Sequence, residues 1–338
     1  MEQVNDTIGN NITDSNQSNN KNGMVIVMGS CITIFNFMYP LIQNMGFAIC
    51  AMETDADFLD GSRLPESNKL YLNGRTEEER IFSENVDMQT FEFPTIHLIK
   101  NKIMESVSEV VYLMVYLGYK WTNRLVLETA KASKELGKIV VLIIAMPAKW
   151  EKIEDTIQAK NAFKELKLIV DTSFVFYRDT FEEDNPDIYE EFSPLELATH
   201  TFKLPFKVIH NIINQKGEII VDGSDVKTLL KSGAFSAVGS GQCNLPIRIS
   251  IIFEQILDSH YLKFLNKEKC NFILYNMEAS EQNAITMEEI EEFNQLLRQQ
   301  FGSEVNIIVG LKNDNSLDDK AKVVCLFSFS EHELLSNL

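Results

Sequence analysis

Several patterns that mark exported, membrane-spanning or catalytic proteins are missing from this sequence. Its five cysteines are an odd number set among apolar neighbours, without a CxxC pair or a close Cys/His cluster. The chain does not open on a basic segment followed by an apolar stretch, and no window of about eighteen residues lacks charges and turn formers. Neither a GxSxG motif nor a Cys/His nucleophile pattern occurs. We therefore expect a cytoplasmic protein with reduced cysteines, without a membrane span, a metal site or an independent hydrolase site.

Basic residues are scarce relative to acidic ones. Lysine and arginine total 31 against 49 aspartates and glutamates, which gives a formal net charge of -18 at pH 7. A surface that acidic repels the phosphates of nucleic acids and of anionic lipids alike. We therefore expect no nucleic-acid partner and no direct membrane binding.

The composition changes along the chain. Residues 1–23 are mostly asparagine, serine, aspartate, threonine and glutamine, which cannot bury enough apolar surface to offset chain entropy, so we expect a disordered tail. The whole sequence is 45% hydrophobic and long enough for two domains. A folded protein with a polar N-terminal tail is the resulting prediction.

From residue 24 onward, short apolar runs alternate with helical segments. Runs such as VVYLMVYL and IVVLIIA are typical of parallel strands covered on both faces by crossover helices, so the first half is predicted to be doubly wound α/β. A helix over residues 194–214 contains Pro205, which favours a kink or a break. Predicted strands cover residues 24–28, 47–52, 69–72, 109–117, 139–145, 168–176, 271–276, 306–311 and 322–329. Predicted helices cover residues 31–46, 97–106, 123–136, 153–166, 224–232, 246–258 and 287–301.

Five stretches match one known family in order and spacing. They are METDADFL (residues 52–59), the segment from AKASKELG to MPAKWE (130–151), LIVDTSFVF (168–176), VDGSDVKTLLKSGAFSAVGSG (221–241) and VNIIVGLKNDNSLDDKAKVVCLF (305–327). Each is similar to a segment of FtsZ proteins, and together they span roughly residues 24–330. The chain is therefore identified as a divergent member of the tubulin/FtsZ superfamily.

The resemblance implies a particular domain organisation. It consists of a Rossmann-like, doubly wound and mostly parallel domain over residues 24–193, a central helix and a following loop over residues 194–235, and a smaller α+β domain over residues 236–330. Short tails at residues 1–23 and 331–338 complete the prediction.

The resemblance also implies where GTP would bind, and most of those positions have changed. Glycines let backbone amides crowd around phosphate oxygens, and the family supplies them in three loops. Here only Gly29 remains in the first loop and Gly118 in the second, while residues 75–94, aligned with the third, contain no glycine. Glu151 persists beside the ribose loop, whereas Arg178, Phe206 and Asp155 replace other nucleotide-contacting residues. We expect no cofactor; Gly29, Gly118 and Glu151 are remnants of a GTP site.

A loop that family members donate to a neighbouring subunit's nucleotide is better preserved. VDGSDV keeps both acids, Asp222 and Asp225, which by the resemblance would act catalytically on that neighbour's GTP. Two acids at the start of a helix are equally expected to cap it and to interact with its positive dipole end. The sequence leaves both interpretations open.

These observations support three functional hypotheses. The first is a GTPase-deficient, FtsZ-like protein that joins, caps or regulates a division filament through head-to-tail contacts with FtsZ or with itself. The second is a divergent GTPase whose pocket uses Lys120, Arg124 and Glu151 in place of the glycine-rich loops and which forms its own filaments; GTP and magnesium would then be its cofactors. The third is a scaffold that assembles without nucleotide, because head-to-tail interfaces polymerise whenever the rotation does not close.

Overall fold

The computed structural model describes residues 22–53, 56–72, 96–177, 193–214, 217, 219–244 and 247–332. The predicted tail up to residue 21, the stretch 75–94, Arg178 and the residues after 332 lie outside these ranges. Asn22 and Gly23, which composition assigns to the N-terminal tail, are buried, and Asn22 Nδ2 donates a hydrogen bond to Met45 O at 2.6 Å. The ordered fold therefore begins before the predicted boundary.

The first half is built from short apolar strands joined by helices. β4 (Val110–Tyr116) and β5 (Ile139–Met146) are buried at every position, as expected for strands covered on both faces. The remaining strands are β1 (Met24–Met28), β2 (Ala48–Glu53), β3 (Lys69–Tyr71) and β6 (Thr172–Tyr177). The helices are α1 (Cys31–Asn44), α2 (Ala56–Asp60), α3 (Ile96–Met104), α4 (Lys120–Glu135) and α5 (Ile153–Leu166).

The long helix α6 (Pro194–Ile213) opens the second half. Ser193 and Glu196 form a capping box at its start, with Pro194 at the first helical position, and the helix continues through Pro205 without a break. The following elements are α7 (Gly223–Leu230), β7 (Phe235–Asn244), α8 (Arg248–Leu257), β8 (Cys270–Ala279), α9 (Met287–Phe301), β9 (Asn306–Asn313) and β10 (Lys320–Phe329).

The strands form one sheet of ten in the order β3-β2-β1-β4-β5-β6-β7-β10-β8-β9. All pairings are parallel except those of β10 with β7 and β8. The halves meet where β6 pairs with β7 through Ser173 and Phe235. The predicted mostly parallel α/β fold is confirmed. The order of the strands reverses between β1 and β4, and open sheets of this kind form a crevice at such a reversal.

Strand β7 is absent from the sequence-based prediction. Its sequence FSAVGSGQCN contains Gly239 and Gly241, which ordinarily weaken a strand. Both are needed because α8 lies directly on the strand: a Cβ on Gly239 would lie 2.8 Å from Ile256 Cγ2, and one on Gly241 would lie 2.6 Å from Ile252 O. The glycines therefore mark close packing of a helix on a strand.

Strand β6 begins four residues later than predicted. The amides of Ile169 and Val170 both donate to Leu166 O, at 2.9 and 3.0 Å, so the chain is still turning out of α5 at these positions. The apolar character of residues 168–170 therefore does not place them in the strand.

A buried carboxylate joins α6 to the second half of the sheet. Glu278 on β8 is 1% exposed and accepts hydrogen bonds from Asn211 Nδ2 at 2.7 Å and Lys322 Nζ at 2.9 Å, with Lys312 Nζ at 3.3 Å. Burial disfavours its ionised form, but the charge and hydrogen bond of Lys322, with Asn211 and Lys312, hold the pKa of Glu278 below its usual range. The network fixes α6 against β8, β9 and β10.

We predict that Glu278→Gln lowers the free energy of unfolding at pH 7 by roughly 2–3 kcal/mol, because hydrogen bonds to a charged group are replaced by weaker ones. Since the folded-state pKa is lowered, the stabilisation is present above the ordinary value of 4.5 and is lost as the pH falls through the folded value. Urea denaturation at a series of pH values measures this. The difference in the free energy of unfolding between wild type and variant should shrink as the pH falls.

The exposed Glu254→Gln on α8 is the matched control and should change the stability by less than about 0.5 kcal/mol. A constant difference between wild type and Glu278→Gln from neutral to acidic pH would contradict the role assigned to the ionised carboxylate.

Candidate functional site

The positions expected to contact a nucleotide lie at the carboxyl ends of β1, β2, β4 and β5. Gly29 follows β1, Glu53 ends β2, Gly118 follows β4, and Glu151 lies between β5 and α5. Carboxyl ends of adjacent parallel strands meet at one edge of the sheet, where open α/β proteins bind their ligands. The sheet therefore places Gly29, Gly118 and Glu151 along one edge.

The amide of Gly29 is bonded to a carboxylate of the protein itself. Gly29 adopts a positive φ of 62°, and its N–H donates to Glu53 Oε2 at 2.8 Å. Glu53 is only 4% exposed, so this negative charge is held inside the crevice. A Cβ on Gly29 would lie 2.8 Å from Thr122 Cγ2, so the loop after β1 contacts the start of α4 directly.

The amide of Gly118 is also bonded within the protein. Its N–H donates to Asn123 Oδ1 at 3.1 Å, and Asn123 Nδ2 donates to Gln158 O on α5 at 3.3 Å. Helix α4 begins at Lys120, three residues before the predicted start, so the loop after β4 is short. Asn123 thus joins the loop after β4 to α5 and leaves the Gly118 amide bonded to a side chain.

Glu151 closes the loop in which it lies. Its Oε1 accepts from Ala148 N at 3.0 Å and from the Tyr116 hydroxyl at 3.3 Å, while its own amide donates to Ala148 O at 3.0 Å. These bonds give the carboxylate a structural role at the ends of β4 and β5.

Comparison with curated proteins finds sequence similarity to proteins named for division. No protein-family model matches the chain. It is 29% identical over 236 residues to the mitochondrial division protein fszB of Dictyostelium discoideum, covering 68% of this chain and 63% of that protein. It is 21% identical over 301 residues to the cell division protein FtsZ of Porphyromonas gingivalis, covering 87% of this chain and 63% of that protein. The chain thus spans less than two thirds of the length of either relative.

Solved structures give the same result at the level of the fold. An empty FtsZ dimer from M. jannaschii superposes with a TM-score of 0.70 at 20% identity, covering 90% of this chain and 87% of that one. The chain has the tubulin/FtsZ fold. A GTPgS-bound protofilament of CetZ2 from Haloferax volcanii has a TM-score of 0.65 at 14% identity, covering 91% of this chain and 93% of that chain. Together with the curated relatives, these matches show the tubulin/FtsZ fold and a sequence similarity to FtsZ proteins.

Phe206, aligned with a guanine-contacting acid of FtsZ, is part of the hydrophobic core. It lies on α6, is fully buried, and packs edge-to-face against Phe47 and Tyr112 at centroid distances of 5.4 and 5.6 Å. Apolar contacts therefore replace a polar base contact at this position.

The cations proposed as substitutes for the glycine-rich loop lie on the first turns of α4. Arg124 Nη2 is 3.0 Å from Glu128 Oε1, one turn further along, and both side chains are largely buried. Lys120 is the first residue of the helix. Of the two aromatic residues in this stretch, Trp121 packs partly against the core, whereas Tyr119 is 59% exposed. The Glu128 carboxylate thus already pairs with Arg124.

The two acids of the donor loop cap helix α7. Asp222 Oδ1 accepts from the amides of Ser224 and Asp225 at 2.7 and 3.0 Å, and Asp225 Oδ2 accepts from Asp222 N at 3.2 Å. Hydrogen bonds from Ser224 and from the Asp225 amide lower the pKa of Asp222, which stays ionised at the helix N-terminus. Both acids remain at the surface, so capping and a role at a neighbouring subunit are compatible.

Metal binding and membrane spanning can be examined only within the described ranges. There, no group of three or more histidine, cysteine, aspartate or glutamate side chains is arranged to hold a metal ion. No helix in the same part of the chain is both long and apolar enough to cross a bilayer.

Sequence analysis did not identify Glu53, Thr122 and Asn123 as the residues that close the crevice. A signal was present, because Glu53 stands where FtsZ has asparagine, and Thr122 and Asn123 lie within the stretch aligned with the glycine-rich loop. Which backbone amides these side chains would contact depends on the packing of β2 and α4 around β1.

We predict that Glu53→Ala lowers the free energy of unfolding by roughly 1–3 kcal/mol, because it leaves the buried Gly29 amide without an acceptor. Glu53→Gln keeps an amide oxygen at that position and should lose less than half as much. Urea denaturation of the three proteins measures the difference. Equal losses for alanine and glutamine would contradict the hydrogen bond as the source of the stabilisation.

Proposed function

We propose that the protein is a GTPase-deficient, FtsZ-like cytoskeletal protein that joins, caps or regulates an FtsZ-type filament in cell division. The observation that carries this proposal is the bonding of the Gly29 and Gly118 amides to Glu53 and Asn123. The names of the two curated relatives, a mitochondrial division protein and a cell division protein, support the process.

A nucleotide phosphate does not fit this arrangement. To reach the Gly29 amide it would have to displace a buried carboxylate of like charge, and to reach the Gly118 amide it would have to displace Asn123. Repulsion between like charges is strong in a crevice of low dielectric constant. We propose that GTP is not bound here and that Glu151 serves only to close its loop.

Exposed apolar residues at two opposite ends of the sheet support head-to-tail association. The carboxyl-end face carries Tyr119, Trp150 and Ile153, which follow β4 and β5 and are 59–79% exposed. The amino-end face carries Val107 and Leu168, which precede β4 and β6 and are 81–82% exposed. Apolar side chains exposed at these levels are typical of protein contact surfaces.

The donor loop belongs to the amino-end face. Lys227 Nζ on α7 is 3.0 Å from Glu109 Oε2, immediately before β4, which places α7 at that end of the sheet. Ile220, beside Asp222 and Asp225, is 63% exposed. This face could therefore meet the nucleotide end of a neighbouring FtsZ subunit, while the protein's own carboxyl-end face would offer no GTP to the next subunit.

We predict that calorimetric titration of the purified chain with GTP and magnesium detects no binding at concentrations sensitive to millimolar affinity. The physical reason is that both phosphate-loop amides already have acceptors within the protein. An authentic FtsZ, titrated under the same conditions, is the positive control.

Binding of GTP followed by hydrolysis that Asp225→Ala abolishes would overturn the proposal. That outcome would support the divergent GTPase, with Lys120, Arg124 and Glu151 in place of the glycine-rich loop. Binding without hydrolysis would equally contradict the closed crevice.

We predict that the chain sediments with GTP-assembled FtsZ and changes the amount of polymer, and that Ile220→Asp reduces this co-sedimentation at least severalfold. A charge placed at the centre of an apolar contact is costly because it must be desolvated on association. Met287→Asp is the matched control, since Met287 is 65% exposed and begins α9, a helix separate from the donor loop and α7.

Two results would contradict this interpretation. If Met287→Asp reduces co-sedimentation as much as Ile220→Asp does, the amino-end face is not the surface that contacts FtsZ. Filaments formed by this chain alone, without FtsZ and without nucleotide, would instead support the self-assembling scaffold, which the apolar residues at both ends also favour.

A further inference from the structure

A second cleft lies away from the crevice, between α6 and the second half of the sheet. It has a volume of about 1050 Å³ and is walled by α6 on one side and by residues of β7, β9 and β10 on the other, with α1 and the end of α8 at its margins. This volume is at the upper end of the range usual for small-molecule sites.

The cleft is rich in lysine although the protein is strongly acidic. Lys203, Lys207, Lys312 and Lys322 line it in a chain with a formal net charge of -18. The carboxylates that line it are Glu196, held in the α6 capping box by Ser193, and Asp258, which ends α8. A concentration of positive charge against the overall charge indicates a local preference for anions.

Two of these lysines differ from the other two in their partners. Lys312 and Lys322 are paired with Glu278. Lys203 and Lys207, one turn apart on α6, pair with no carboxylate among the residues that the structure describes. Burial, followed by the charges of Lys203 and Lys322, lowers the pKa of Lys207, so these cations repel one another.

The rest of the lining is apolar or neutral. Leu204 and Val208 lie beside the two lysines on α6, Met45 and Phe37 contribute from the α1 side, and Val324 from β10. A ligand in the cleft would therefore meet a pair of cations and an apolar wall together.

We propose that this cleft binds a small organic phosphate, with the phosphate group between Lys203 and Lys207 and the apolar part against Leu204 and Val208. A phosphate monoester carries nearly two negative charges at neutral pH, which matches two adjacent ammonium groups. Lysine binds phosphate as a point charge and needs no glycine-rich loop. The site is independent of the crevice and of the proposed filament function.

The test is calorimetric titration of the full chain with phenyl phosphate, which combines a phosphate monoester with an apolar ring. We expect binding at one site, weakened roughly tenfold by Lys203→Gln and by Lys207→Gln, since each removes a charged hydrogen-bond donor. Lys160→Gln is the matched control, because Lys160 is an exposed lysine on a different helix, α5, and should leave the affinity unchanged.

Inorganic phosphate provides the second comparison. It should bind at least several times more weakly than phenyl phosphate, because it gains nothing from the apolar wall. Absence of phenyl phosphate binding, equal affinity of the two phosphates, or equal weakening by Lys160→Gln would each overturn the proposal. If GTP gives heat, the Lys203→Gln/Lys207→Gln double variant separates the two sites. Heat that the double variant abolishes belongs to the cleft, whereas heat that it keeps belongs to the crevice and contradicts the function proposed above.

Discussion

The hydrogen bond from the Gly29 amide to the buried Glu53 carboxylate fixes the loop after β1, next to the place where the strand order reverses between β1 and β4. It joins the carboxyl ends of β1 and β2 where a ligand of this fold class would lie. Glu53 is buried, so the acceptor of this amide is part of the protein itself.

The remaining loops follow the same physical rule, that a buried amide needs an acceptor. Asn123 supplies it for Gly118, and Glu151 supplies it for Ala148. Phe206 replaces a polar contact with the base by packing against Phe47 and Tyr112. These positions are therefore held by hydrogen bonds and apolar packing within the protein.

The two ends of the sheet are therefore unequal. The carboxyl-end face presents exposed aromatic and aliphatic side chains beside a closed crevice, while the amino-end face retains the acids of the donor loop. The cleft beside α6 adds a separate surface, since it lies next to the Glu278 network that holds the central helix against the sheet.

The amino-acid sequence by itself determined the α/β alternation, α5 and α9 to the residue, and the loss of glycines from the phosphate loops, because these depend on local periodicity and on residue type. It did not determine β7, whose glycines are explained only by the helix that packs on them, nor the late start of β6. Only the tertiary structure decided that Glu53 and Asn123 accept from Gly29 and Gly118, and that Lys322 lies close enough to Lys207 to lower its pKa. These interactions join residues 5 to 115 positions apart in the chain, and nothing in the local sequence fixes such distances.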